Sequence, residues 1–331
     1  MLKLGKNVHF NIITNTQKYK QFLRNINVTS YNKEKEEPVA EPNVIIEKDQ
    51  NITLIGLNRP EHRNSIDSAT ASLLCEALNK FEADETSPVA VLYGIGGSFC
   101  AGYDVKELEE QIEKGSLEFL LKRDGAAGPT RRHLRKPVVA GINGFCVGNG
   151  LELALMCDLR VMEDTAVMGF FNRYMGVPLS DGGTVRLAAS VGYSRALDLI
   201  TTGRRITAQE ALELGLINRI VTTGTGLGQA VNLACSIEKF PNAALQHDRN
   251  TMYANVYDKK EFRIGAQNEV LTISHDVLQE MKEGVIRFEK SKAKGSRTKS
   301  WDIKQKFIPD WEKTEIEHEE RYAREKKNKN K

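Results

Sequence analysis

Twice in this chain a short run of β-branched and aliphatic residues ends in a glycine-rich turn that opens straight into a helix. The first is "VAVLYGIGG" (89–97), continuing as "SFCAGYDVKEL". The second is "VVAGING" (138–144), continuing as "FCVGNGLELALMCD". Strands with no polar alternation need cover on both faces, so the pattern predicts an α/β fold with helices as an outer layer. A strand, a turn and a helix start also leave backbone N–H groups free at the positive end of a helix dipole. Two such turns can offer two donors to one oxygen, the logic of an oxyanion hole. The glycine spacing fits neither a GxxxxGK[ST] phosphate loop nor a dinucleotide fingerprint.

The second helix is apolar almost all the way round, with Leu151, Leu153, Ala154, Leu155 and Met156, yet carries Glu152 in its first turn. Burying an unpaired carboxylate is costly. Two readings are open: an ion pair with a structural arginine such as Arg160 or Arg186, or a proton carrier beside the turns.

Along the chain, "VIIEKDQNITLIGLN" reads as a hairpin. "DSATASLLCEALNKFEAD" reads as a helix capped by Asp67 or Ser68. A charged helix over 104–122, a "GAAGP" loop and a second helix ending in "RRHLRKP" are expected next. "LRVMEDTAVMGF" predicts two short strands, "GGTVRLAASVG" and "SRALDLITTG" helices, and residues 262–294 further helix. Asp181, in "PLSDGGT", stands where a helix cap is expected. His133 in "RRHLRK" has no visible partner and is assigned no chemistry.

Charge is distributed unevenly. Residues 1–33 carry six Lys/Arg and no acid. The C-terminal 36 residues are also rich in Lys/Arg, and the body between carries more acids than bases, which argues against a broad nucleic-acid surface. The N-terminal stretch lacks the apolar core of a secretory signal and fits a mitochondrial presequence, the alternative being a disordered basic arm. The most apolar region, 137–157, is too interrupted to span a membrane. The five cysteines are scattered without CxxC or a histidine at ligand spacing, so a reduced compartment and no metal site are expected. The domain reading is transit peptide and linker over 1–40, a core over 41–235, a helical region over 236–295, and a charged appendix over 296–331.

"LNRPEHRNSID", "GSFCAGYDVKEL", "KPVVAGINGFCVGNGLELALMCDLRV", "GVPLSDGGTVRL" and "GRRITAQEALELGLINRIV" resemble, in order and spacing, the crotonase superfamily of enoyl-CoA hydratases and isomerases over roughly residues 43–295. The resemblance implies a spiral of strand-strand-helix units with a helical C-terminal region. It implies an acyl-CoA substrate, with coenzyme A part of the substrate and no separate cofactor. Its oxyanion donors fall on the N–H groups of Tyr103 and Asn149, and its first catalytic glutamate on Glu152. The second falls on Asn172, where a carboxylate is expected. Asp181 lies where several members place an active-site aspartate. The turn formed by Gly102, Asp104, Val105 and Lys106, together with Arg63, would meet the CoA, with Arg59 and His62 further candidates for its phosphates; for Asp104 a helix cap is the favoured reading. Phe288 and Lys290 would contact the acyl-CoA from the C-terminal helix. Hydration of a 2-enoyl-CoA in acyl-CoA catabolism is the expected reaction. The alternatives are double-bond isomerisation, thioester hydrolysis with Asp181 as nucleophile or base, and a non-catalytic RNA-binding or regulatory role. Mitochondrial matrix residence and a homotrimer or hexamer are the remaining expectations.

Overall fold

The computed structural model describes residues 42–114, 122, 124–257, 274–276 and 279. Phe288 and Lys290, both termini and, apart from 274–276 and 279, the helix expected over 262–294 lie outside the described residues. The hairpin expected at the start is present: β1 (Val44–Asp49) pairs antiparallel with β2 (Ile52–Leu57). From β2 the sheet runs parallel through β3 (Val89–Gly94), β4 (Val138–Ile142), β6 (Leu159–Glu163) and β9 (Arg219–Val221). A second sheet joins β5 (Phe145–Val147) and β7 (Val167–Gly169) in parallel, with β8 (Ile206–Thr207) antiparallel to β7. Each glycine-rich turn thus leaves the C-terminal end of a large-sheet strand.

Eight α-helices are described: α1 (Ser68–Ala83), α2 (Val105–Glu113), α3 (Asn149–Met156), α4 (Gly183–Val191), α5 (Tyr193–Thr202), α6 (Ala208–Glu213), α7 (Gly226–Glu238) and α8 (Asn242–Tyr257). The boundary expected at 235/236 falls inside α7. Asp67 caps α1, accepting from the Thr70 N–H at 2.7 Å. The apolar side of α1, with Leu74, Leu78 and Phe81, packs with α3 and Phe99 in the main core. Ala230, Leu233 and Ala234 of α7 cover Val91, Val139 and Val161 on the other face. Both faces of the parallel strands are therefore dry, as their unbroken apolar runs require.

One expected element is absent. Residues 130–137, read from sequence as a second helix after the GAAGP loop, form turns and bends. Their backbone is claimed from outside: Arg135 N–H donates to Glu82 at 2.6 Å and Arg131 N–H to the Asp124 carbonyl at 2.9 Å. Pro137 further disfavours helical geometry at Lys136. A helix would break the bonds that this segment makes to the carboxylate described next.

Candidate active site

The two glycine-rich turns lie against each other. Cys100 N–H donates to the Phe145 carbonyl at 2.9 Å, and Val147 N–H returns a bond to the Cys100 carbonyl at 3.0 Å. Gly102 has φ +94, and a Cβ there would sit 3.1 Å from the Val147 carbonyl oxygen and 3.3 Å from the Asn149 nitrogen. The turn needs glycine both for its left-handed backbone and for this approach. Asn149 is the first residue of α3, so no carbonyl one turn back in the helix can take its N–H. Tyr103 and Asn149, the two expected oxyanion donors, share the wall of one cleft with Gly148, Phe171 and Asn172.

Beneath the cleft floor lie two carboxylates, Glu152 and Asp181, both fully buried. They are joined through one amide: Asn149 Nδ2 donates to Glu152 Oε2 at 2.8 Å and to Asp181 Oδ2 at 2.5 Å. Glu152 Oε1 accepts the backbone N–H groups of Asp181 (2.9 Å) and Gly183 (2.8 Å). Burial, reinforced by the neighbouring Asp181 charge, pushes the Glu152 carboxyl up to about 7, against the pull of those backbone bonds. At neutral pH both protonation states are accessible.

Asp181 is held on four sides. Oδ1 accepts the Ala127 N–H at 3.1 Å and the Thr130 hydroxyl, and Oδ2 accepts the Tyr103 hydroxyl and Asn149 Nδ2. Four donors fill the acceptor positions of a carboxylate. Burial and the adjacent Asp181 charge push the Tyr103 phenol up, which keeps its hydroxyl a donor.

Several readings from the sequence change here. Asp181 does not cap α4, whose N-cap is Gly182 with no side-chain cap bond. The cap is Glu152, reaching across from α3. Neither candidate arginine pairs with Glu152. Arg160 donates to the carbonyls of Leu216 and Cys157, each at 2.6 Å, and Arg186 to the Asp181 carbonyl at 3.2 Å. Asn172 lines the cleft where the second carboxylate was expected; its Nδ2 donates to the Val177 carbonyl at 2.7 Å, while its buried Oδ1 has no partner among the described residues.

Of the residues expected at the CoA, Val105 and Lys106 are exposed in the first turn of α2, and Val105 lines the cleft. Asp104 caps that helix, accepting from Lys106 N–H at 3.2 Å, and pairs with Arg59 at 2.9 Å. Arg59 also meets Asp67 at 3.1 Å, so it is spent inside the protein and is not a free phosphate ligand. Arg63 is exposed, its guanidinium 5.3 Å from the Phe145 ring centroid. His133 does have partners: Asn250 at 2.9 Å and a stacked Tyr253 ring. Thr130 and the Ala127 N–H were missed from sequence, because a threonine and a backbone amide in an irregular segment carry no local signature. The "GG" after Asp181 did carry one: a Cβ on Gly183 would meet Glu152 Cγ and Oε1 at 2.7 Å.

A family model described as enoyl-CoA hydratase/isomerase matches residues 47–296. The chain is similar to the enoyl-CoA hydratase EchA19 of Mycobacterium tuberculosis, with 32% identity over 212 residues covering 62% of this chain and 78% of the relative. It is also similar to enoyl-CoA hydratase domain-containing protein 2, mitochondrial, of Homo sapiens, 41% identical over 179 residues, 52% of this chain and 59% of that protein. Among solved structures, an enoyl-CoA hydratase from Mycobacterium tuberculosis superposes with a TM-score of 0.68 at 30% identity, covering 76% of this chain and 96% of the other.

Proposed function

Since this chain belongs to the enoyl-CoA hydratase/isomerase family, we propose that it adds water across the double bond of a 2-enoyl-CoA thioester, with Glu152 as the proton carrier. It is an acyl-CoA enzyme of the hydratase/isomerase type with the crotonase fold. The observation that carries the reading is the fully buried Glu152, raised to about 7, directly behind two abutting turns that end in Tyr103 and Asn149.

In this mechanism the thioester oxygen sits in the cleft between the N–H groups of Tyr103 and Asn149. Glu152, ionised, takes a proton from water as the water oxygen bonds to C3, and the electron pair of the double bond moves to the carbonyl oxygen as an enolate. The two N–H groups hold that charge, and loss of one such donor costs about 3 kcal/mol. The enolate then collapses, C2 takes the same proton back from Glu152, and no net proton is consumed. Asn149 is the lid over Glu152, so its side-chain amide must release Oε2 for the carboxylate to reach the cleft. The orphan Oδ1 of Asn172 is an acceptor for one hydrogen of that water. Asp181 is a positioning residue: with four donors on it, it fixes Asn149, Tyr103 and Thr130, and this saturation argues against a hydrolase using it as nucleophile.

A second reading has a specific observation behind it. With Asn172 in place of an acid and Asp181 saturated, one carboxylate alone moves protons, which suffices for shifting a 3-enoyl double bond to position 2. Crotonyl-CoA hydration and 3-hexenoyl-CoA isomerisation, each assayed for wild type and Glu152→Gln, separate the two. Turnover of neither substrate sinks both readings. The CoA portion is proposed to lie along Gly102, Asp104, Val105 and Lys106, near Arg63, with Phe288 and Lys290 closing over it.

The basic N-terminus and the likeness to mitochondrial relatives support action in the mitochondrial matrix. The family resemblance supports a homotrimer or hexamer, and exposed Tyr193 and Leu197 on α5 are surface such an assembly would cover. Import into isolated mitochondria and light scattering on the purified chain test these. Among the described residues no helix is long and apolar enough to cross a membrane.

A further inference from the structure

At the other end of α3 from the cleft, a second cavity of about 230 Å³ lies between the core and α8. Among the described residues its walls carry four guanidinium groups, from Arg132, Arg160, Arg186 and Arg249, against one carboxylate, Asp158. Leu155, Met156 and Val256 give it an apolar side. Asp158 is taken by Arg249 at 2.7 Å, and Arg132 lies 3.4 Å from Glu82. Among the described residues Arg160 and Arg186, both buried, find only backbone carbonyls: Leu216, Cys157 and Ala154 for the first, Asp181 and Arg132 for the second. Arg132 Nε is buried and donates to no acceptor among the described residues.

A carbonyl satisfies an N–H but does not neutralise a charge, and uncompensated buried cations are among the costliest groups in a protein. Burial pulls the Arg160 guanidinium down from its ordinary value, against the pull of nearby groups that include Asp158. Nothing in the reaction proposed above uses this cavity. Guanidinium edges bind carboxylate and phosphate oxygens in a planar, two-pronged manner that no single carbonyl reproduces.

We propose that this cavity is a binding site for a small organic dianion whose charged ends are carboxylate or phosphate, held by Arg160 and Arg186 with its short apolar body against Leu155 and Met156. Two guanidinium groups with no carboxylate partner among the described residues set the charge at two, and the cavity volume keeps the ligand small.

The test is calorimetric titration of the full chain with succinate, inorganic phosphate and butyrate at fixed ionic strength. Saturable one-to-one binding of succinate or phosphate is expected, with the monoanion butyrate at least tenfold weaker. Succinate tighter than phosphate assigns a dicarboxylate, and the reverse a phosphate compound. Arg160→Met and Arg186→Met should abolish binding, but each also removes bonds to backbone carbonyls. Ala189→Glu is therefore the decisive variant: Ala189 is exposed on the cavity rim, so the chain should fold with an unchanged unfolding midpoint and bind at least tenfold more weakly. No saturable binding of either dianion, equal binding of butyrate, or undiminished binding in Ala189→Glu would overturn the proposal. Enoyl-CoA turnover is measured alongside, so a failure here is distinct from a failure of the active-site reading.

Discussion

The molecule uses one device twice. Glu152, on α3, and Glu163, at the end of β6, are both buried, and each turns its carboxylate onto the start of another helix. Glu152 takes two backbone N–H groups at the start of α4, at 2.9 and 2.8 Å. Glu163 takes those of Gly224 and Gly226 at the start of α7, at 2.9 and 3.0 Å. In both places a glycine lets the acid approach: a Cβ on Gly183 would meet Glu152 Oε1 at 2.7 Å, and one on Gly226 would meet Glu163 Oε1 at 2.9 Å. The difference lies in what surrounds the cap. Glu152 is tied through Asn149 to a second carboxylate and sits behind a cleft, whereas no side-chain amide ties Glu163 to a second acid among the described residues. A carboxylate capping a helix is structural by default, and added burial and a neighbouring negative charge turn it toward proton transfer.

The largest effect expected separates the two acids by activity. Glu152→Gln keeps the shape and the accepting oxygen but cannot carry a proton, so kcat for crotonyl-CoA should fall about 10²- to 10⁴-fold. Glu163→Gln should stay within about twofold of wild type. Steady-state kinetics on both variants break the comparison if the two losses are similar.

A second contrast is in pH. The Glu152 carboxyl, raised from 4.5 to about 7, binds its proton more tightly folded than unfolded. Its contribution to stability is therefore fully present below about pH 4.5 and is lost as pH rises through 7. The linked change is on the order of 3 kcal/mol. Urea unfolding of wild type and Glu152→Gln between pH 5 and 8 should show the variant gaining on wild type as pH rises. Parallel curves would mean that Glu152 is an ordinary ionised cap. In wild type, kcat should rise toward a plateau as pH passes 7, since in the proposed mechanism the ionised form takes the proton from water.

Next in size are the two glycines. Gly183→Ala and Gly226→Ala each push a methyl into a glutamate, and overpacking of this kind costs about 1–3 kcal/mol. Both variants should lose similar stability in urea titrations. Only Gly183→Ala should lose activity in proportion beyond its folded fraction, because only there is the displaced carboxylate the proposed proton carrier.

How far the sequence foretold this contrast depends on where each signal sits. Glu152 was legible because a lone acid in an apolar helix violates a local pattern, and the two strand–glycine–helix segments beside it follow from local geometry. Its real partners were not legible. Arg160 and Arg186 looked suitable by charge, but their geometry sends them to backbone carbonyls. The Ala127 N–H, which holds Asp181, comes from a loop with no signature, and Thr130 from the start of a segment whose helix-like residues are overridden by tertiary bonds to Glu82 and Asp181. Glu163 passed unremarked because an acid at a strand's end looks like the start of a turn. That its carboxylate reaches Gly226, 63 positions on, is a fact of the fold that no window of sequence contains.

The smallest effect expected is the stability of Glu163→Gln, and it is the sharpest statement of what a cap alone is worth. The amide oxygen can still accept from Gly224 and Gly226, so the hydrogen bonds persist, and the loss is the attraction between a full negative charge and the start of α7. Charge–dipole terms of this kind run about 0.3–1 kcal/mol at the surface and up to about 2 when partly buried, so a loss of about 1 kcal/mol is expected, read as a shift of the urea midpoint at constant slope. A loss of 3 kcal/mol or more would mean that Glu163 neutralises something beyond the helix start, and the two acids would then differ in more than their surroundings. A loss near 1 kcal/mol with full activity leaves the cap as the shared device, with the chemistry belonging to what has been built around only one of them.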